Sequence, residues 1–296
     1  MNRSGNGLLS PTPSPPAEER GTTWRIWEVH RFKARKSFRE ILSVLVNRAG
    51  SICLICLCAC LVEGGATAAD GNARVMAEQA YYEKEKQFQD QSKNLEPAWQ
   101  FGRACFDLAE FATNSTERAQ IAEKAINACR QGLLINSNSA PAHYYLGLNL
   151  GELARTKSVG ALKLVSQMER EFTTAIDLDK AFDFAGPDRT LGLLYRDAPT
   201  LISIGSRSKA KHHLRRAVEL APEYPENRLD LIESYQKWGD RAEAKRELAA
   251  LEAIWPKARA QLTGPEWTAS WKDWQARLED CKKKVEEASK LESPRH

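Results

Sequence analysis

This sequence has little of what a chemical centre is built from. It contains five histidines in 296 residues, and the four in its body are His143, His212, His213 and the terminal His296. No His-Glu-x-x-His pattern, glycine-rich phosphate loop or nucleophile elbow is present. His212 and His213 are adjacent on a helical pattern and point about 100° apart, which makes them poor co-ligands and predicts a solvated face. Acidic pairs such as Glu169 and Glu171 sit on amphipathic stretches and read the same way. The expectation is a protein that is not an enzyme, with no metal and no cofactor. No apolar run reaches the roughly 20 residues of a membrane-spanning helix. The nearest is residues 49–62, fourteen residues almost wholly apolar or small.

Charge is nearly absent once it is located. The net charge is +4, but residues 1–60 hold nine Lys/Arg against four Asp/Glu. The body is therefore almost neutral and carries no electrostatic footprint for nucleic acid. Cysteine is just as uneven. Cys53, Cys56, Cys58 and Cys60 fall inside the apolar run, with no second ligand cluster nearby, so they read as apolar residues of that run rather than metal ligands. Only Cys105, Cys129 and Cys281 remain in the body.

What is present begins with an address. Residues 1–48 form a leader, Pro-, Ser- and Gly-rich and then basic, too poor in apolar surface at its start to offset its ordering entropy. The apolar run behind Asn47-Arg48, followed by small residues, has the form of a secretory signal over residues 49–68. Two exits are readable. Ala66-Thr67-Ala68 has the small-x-small form of a cleavage site. Leu57-Cys58-Ala59-Cys60 resembles a bacterial lipobox, in which Cys60 would carry the lipid anchor, although Cys58 is unusual there. Cleavage near Ala68 is the preferred of the two. The expected location is exported, periplasmic or envelope-associated, with membrane contact only through the signal or a lipid anchor. The leader is long for a bacterial signal, as it would be if translation began near Val44 or Val46.

Self-similarity follows. Phe101-Gly102, Leu146-Gly147 and Leu191-Gly192 repeat with their glycines 45 residues apart. A glycine inside a helix costs about 1 kcal/mol, so a large apolar residue followed by Gly predicts a point where two helices approach closely. Residues 225–256 then complete a unit. Leu231, Ile232 and Tyr235 mark its first helix and Gly239-Asp240 its turn. Ala244, Leu248 and Leu251 mark its second helix, and Pro256 its close. This unit resembles the tetratricopeptide repeat, and the helix around Ala210, Leu214 and Ala217 matches still better. The resemblance extends loosely over residues 94–256 as about four hairpins. The markers widen from Ile232–Leu251, 19 apart, to Gly192–Ala217, Gly147–Ala175 and Gly102–Gly132, at 25, 28 and 30. The added residues belong in longer helices or tip loops.

The fold class expected is all-α: a tetratricopeptide-like helical-hairpin solenoid, with an extra N-terminal helix over residues 73–91 and a C-terminal capping helix over residues 264–291. Ser139 suits a helix cap, and Pro187-Asp188 and Pro265-Glu266 suit first turns. Trp267, Trp271, Trp274, Leu278, Cys281 and Val285 step by 4, 3, 4, 3 and 4, one helical stripe. That stripe reads as a cap on the last repeat, against the alternative of an interaction surface.

The family resemblance implies a concave binding face. Its groove positions carry over to Trp99, Arg103 and Phe106 in the first hairpin and to Tyr144, Leu148 and Glu152 in the second. Arg189, Leu193 and Arg196 follow in the third, and Glu233 and Lys237 in the fourth. It also implies that Cys105 and Cys129 pack together inside one hairpin, as two buried thiols or, after export, as a disulfide. The segment Gly186-Pro187-Asp188-Arg189-Thr190-Leu191-Gly192, continuing to Ala198-Pro199, resembles the periplasmic T-component proteins associated with TRAP transporters. A weaker similarity, in the stretched units, is to the regulator of microtubule dynamics family. These resemblances imply a scaffold for another protein or peptide. The alternative is a transporter-associated accessory holding a small or lipid-like ligand, and an oligomer suits either.

Overall fold

The computed structural model describes residues 68–157 and 159–292. The leader, the signal segment and Cys60 lie outside the described residues, apart from Ala68. The described chain is a succession of helices. A first helix α1 (Ala68–Asp90) precedes four hairpins. They are α2 (Leu95–Ala109) with α3 (Ser115–Ile135), α4 (Ala140–Arg155) with α5 (Ala161–Leu178), α6 (Phe182–Asp197) with α7 (Arg207–Leu220), and α8 (Pro225–Trp238) with α9 (Arg241–Gln261). A single 3-10 turn (Pro265–Trp267) then leads into α10 (Thr268–Glu292).

The ends of these helices are locally determined. Asn114 accepts from the backbone N–H groups of Thr116 and Glu117, Ser139 from Ala142, and Ser206 from Lys209. Each satisfies donors that the first turn leaves open. Pro225 opens α8, where its missing N–H costs nothing. Gly239, at φ 77°, closes α8 in the left-handed region that a residue without Cβ enters freely.

Each hairpin packs along its own length and each first helix meets its neighbours, so the core runs unbroken through the stack from Phe106 to Cys281. The repeated glycines sit at the closest approaches. A Cβ on Gly102 would lie 2.4 Å from Cys129 Sγ, one on Gly147 2.5 Å from Phe172 Cε1, and one on Gly192 2.8 Å from Leu214 Cγ. In each of these three hairpins the residue met stands three positions, about one turn, ahead of the second-helix marker read from the sequence. The helix pairs cross slightly nearer the tips than the markers imply.

The two ends of the stack are covered as expected. Helix α1 lays Ala77 and Tyr81 on α2, with the Tyr81 and Phe101 rings 5.3 Å apart. Helix α10 buries Trp271, Trp274, Leu278 and Cys281 against the last hairpin. Gln236 donates to the Cys281 carbonyl at 3.1 Å. The tryptophan stripe is thus a cap. Pro256 differs from expectation, because α9 continues through it to Gln261. A proline inside a helix costs about 3 kcal/mol. Burial of Ala258, the Trp255–Trp271 ring contact at 5.2 Å and Arg259 over the Trp271 ring hold that last stretch helical.

Helix α6 holds the other departure. Asp183, Phe184 and Ala185 have φ of 54°, 54° and 60°, so its regular right-handed part starts only at Gly186-Pro187, where the sequence places a first turn. Three successive non-glycine residues in the left-handed region cost roughly 1–2 kcal/mol each. Tertiary contacts must hold them.

Candidate functional site

The residues expected to line the concave face fall on the four first helices, but most are used up in joints between hairpins. Trp99 of α2 stacks on Tyr145 of α4, the rings 5.9 Å apart and 10° from parallel. The Tyr144 hydroxyl meets Thr190 of α6 at 3.3 Å, and its ring packs edge-on to Phe182 at 5.6 Å. Arg189 of α6 donates to Asn227 of α8 at 2.9 Å, and Arg196 to Ser234 at 3.1 Å. Glu152 accepts from Arg118 at 2.5 Å and from Arg155 at 3.0 Å, with Glu110 beyond at 3.4 Å, closing an ion cluster between α2, α3 and α4. Arg103 lies 3.9 Å from Asp107 within α2, and Phe106 belongs to the core. Arg103, Phe106, Tyr144, Glu152 and Arg189 are buried and the Arg196 side chain is only 4% exposed, which leaves Trp99 with part of its surface open. Leu148 and Leu193 are buried as well. Glu233 is partly open and paired with Arg277 at 2.7 Å, and Lys237 is exposed.

Three of the four residues read from the sequence as solvated turn out to be partners. Glu171 binds His143 Nδ1 at 2.6 Å, and this carboxylate, with the Ser137 carbonyl, raises the His143 pKa above its ordinary value against the opposing effect of burial. Glu169 accepts from the Tyr195 hydroxyl at 2.6 Å, and burial together with that bond pushes the Tyr195 pKa up. His213 lies 2.8 Å from the buried Asp188, while His212 stays exposed. Amphipathic periodicity marks these positions as polar. It does not show that a neighbouring helix supplies the counter-group.

Other functional positions had no such signal. Asn227 is 0% exposed. Its amide donates to the Phe184 carbonyl at 3.0 Å and the Ala217 carbonyl at 2.9 Å, and its Oδ1 accepts from Arg189. This side chain clamps the left-handed turn of α6 to α7 and α8. The Phe184 ring completes the clamp, stacked on Tyr224 at 4.4 Å and 7° and facing Trp267 at 6.0 Å. Beside it, Arg277 of the cap reaches Asp230 at 3.4 Å. On the α6–α8 face Asp197 is pushed up by burial, but Arg196 at 2.5 Å and Lys237 at 2.6 Å outweigh that and hold it below the usual carboxylate range.

Cys105 and Cys129 are both buried and unbonded, the first of the two arrangements that the sequence left open. Burial pushes Cys129 up to about 12 and Cys105 well above the ordinary thiol value, so neither is a ready nucleophile. Among the described residues no group of three or more His, Cys, Asp or Glu is placed to hold a metal ion. No described helix is long and apolar enough to cross a membrane. A groove of about 460 Å³ opens between α3, α4 and α5, where Ile126, Leu150, Leu153 and Leu164 meet Arg130 and Lys163.

A sequence search of curated proteins returned no match. Two crystal structures of MamA are similar in fold. One has 17% identity, covering 64% of this chain and 96% of that one at a TM-score of 0.45. The other has 15% identity, covering 66% and 98% at 0.38. Yeast Tom70 is similar at 12% identity, covering 73% of this chain and 61% of that one, with a TM-score of 0.27. The family model described as regulator of microtubule dynamics protein 1-3 matches residues 67–185, from the start of α1 to the last left-handed residue of α6.

Proposed function

We propose that this chain is a non-enzymatic, tetratricopeptide-like scaffold that is exported and holds another protein or peptide in the cell envelope. The observation that carries the reading is the way the hairpins are joined. Polar and aromatic rungs such as Trp99–Tyr145, Arg189–Asn227 and Arg196–Ser234 fix each first helix on the next. A face locked in this way meets a partner with little ordering cost. Trp99 and Lys237 are the side chains on that face with surface to offer, and Trp is among the residue types that most often anchor interfaces. Export is supported by the sequence, through the basic-then-apolar order ahead of Ala66-Thr67-Ala68.

A second reading follows from the groove between α3 and α5. Its leucines and its excess of one cation, Arg130 and Lys163 against Glu123, suit an anionic amphiphile, as a transporter-associated periplasmic accessory would require. Native mass spectrometry of the chain purified from its host's envelope fraction separates the two. A protein partner lost in the Trp99→Ala and Lys237→Glu variants, with thermal stability kept, supports the scaffold. A co-purifying small molecule lost in Arg130→Glu supports the accessory. Recovery of the chain only from the soluble interior of the host rejects export.

A further inference from the structure

The hairpins place all their tips on one edge of the stack and all their between-hairpin turns on the other. The two edges differ in character. At the two middle tips, residues 153–163 and 198–211 contain basic residues and no Asp or Glu. Lys157, Lys163, Arg207 and Lys209 stand there around aliphatic side chains turned to solvent. Val159 is 90% exposed, Leu201 97% and Ile202 55%. On the opposite edge the turns are acidic, with Asp177 and Asp179 ahead of α6 and Glu219, Glu223 and Glu226 around the start of α8. That edge also exposes Leu134, with a single lysine, Lys180, on the neighbouring turn beside Asp177 and Asp179.

The start of the described chain lies on the basic edge. Helix α1 runs antiparallel to α2, so its first turns reach the α2–α3 tip. Arg74 donates there to the Phe111 carbonyl at 3.3 Å and pairs with Glu117 at 3.3 Å. The apolar residues 49–62 end six positions before Ala68, a distance that extended chain spans in about 20 Å at most. Whatever surface that run enters must lie close to the tips.

We infer that the tip edge is a docking face for an anionic lipid bilayer, with Val159, Leu201 and Ile202 entering the interface and the four cations meeting lipid phosphates. Apolar side chains ringed by Lys and Arg are the pattern that binds such an interface. Three of the four already hold surface ion pairs, Lys157 with Glu123, Arg207 with Asp240 and Lys209 with Glu169, which lipid phosphates would have to displace. The acidic opposite edge is repelled by the same surface, so the molecule stands with its hairpins pointing tips-down. The first-helix face described above is then turned sideways, open to a partner. After cleavage near Ala68, which removes residues 49–62, the orientation rests on the tip residues alone.

Hydrogen exchange of the full-length chain, read by mass spectrometry, tests the inference. On vesicles of phosphatidylcholine with about 30% phosphatidylglycerol, amides of residues 159–163 and 200–207 should exchange at least about tenfold more slowly than on phosphatidylcholine alone. The effect should shrink in high salt. Turn residues 179–181 and 221–224 should be unaffected. The Leu201→Ser, Ile202→Ser double variant, both positions being exposed, should lose protection at its tip with core exchange unchanged. Equal rates on both vesicles overturn the proposal. So does tip protection without vesicles that rises with chain concentration, which assigns the edge to a second copy. Protection without vesicles at every concentration assigns it instead to residues 49–62 folded back on the tips.

Discussion

Replacing Gly147 with alanine tests whether the 45-residue glycine period encodes helix approach. By helix propensity alone the change stabilises, since alanine is favoured over glycine by about 1 kcal/mol in a helix interior. The contact opposes it. The new methyl would lie 2.5, 2.9 and 3.0 Å from Cε1, Cδ1 and Cζ of Phe172, where carbon atoms rest at about 3.5–4.0 Å. All three atoms belong to one rigid ring. That ring is wholly buried and held on another side by Tyr144, 6.0 Å away. Relief therefore requires α4 and α5 to separate. Overpacking of this kind costs about 1–3 kcal/mol, and a ring that cannot turn aside puts it near the upper end. The net expectation is a loss of about 2 kcal/mol, or roughly 4–8 °C in melting temperature for a domain of this size. Urea unfolding followed by circular dichroism measures it. Adding Phe172→Leu to Gly147→Ala should cost less than the sum of the two single changes, because the second removes the obstacle to the first. A Gly147→Ala protein as stable as the parent would refute the reasoning, because propensity would then have won and the period would mark something other than close approach.

Three further outcomes are expected. Asn227→Ala should cost about 2–3 kcal/mol, because it removes the buried donor to the Phe184 and Ala217 carbonyls and the acceptor of Arg189; hydrogen exchange at residues 183–185 should rise more than the global opening rate. The raised pKa of His143 gives a pH dependence of fixed sign: its contribution is fully present below the ordinary histidine value of about 6.5 and is lost as pH rises through the folded-state value. His143→Gln should therefore remove a fall in melting temperature on the alkaline side of pH 6.5, and a parent whose stability does not fall there contradicts the His143–Glu171 pair. Iodoacetamide at pH 8 should leave Cys105 and Cys129 unlabelled in the folded chain and label both in denaturant without reductant, as peptide mapping will show; if they stay unlabelled in denaturant, they are bonded.

The parts of this fold that could be read from sequence are those fixed by local spacing. From Trp271 to Val285 the stripe of α10 keeps its steps through four intervals, with Trp267 in the 3-10 turn ahead of it, and a helix has only one face on which such residues can lie. The glycine period and the caps at Ser139 and Gly239 were legible for the same reason. Pro256 shows where local rules stop. Its cost belongs to the backbone, but the contacts that offset it come from Trp271, fifteen residues away on another helix. The groove positions fall on the first helices of the hairpins, yet their burial depends on how tightly successive hairpins close. That distance is set by pairs such as Tyr144 and Thr190, which no single unit contains.

The left-handed turn at Asp183, Phe184 and Ala185 is the extreme case. None of the three is a glycine or asparagine, so intrinsic preference points to ordinary right-handed helix. Only Asn227, 43 positions from Phe184, together with the Tyr224 ring supplies the reason for the observed backbone. A polar residue at position 227 in an amphipathic helix reads as solvent-facing unless its partner carbonyls are known. The joints between hairpins, which bear most directly on what this scaffold can hold, are therefore the elements least visible in the sequence of any one repeat. Their readable trace is indirect: an asparagine or arginine sitting where the helical period calls for an apolar side chain.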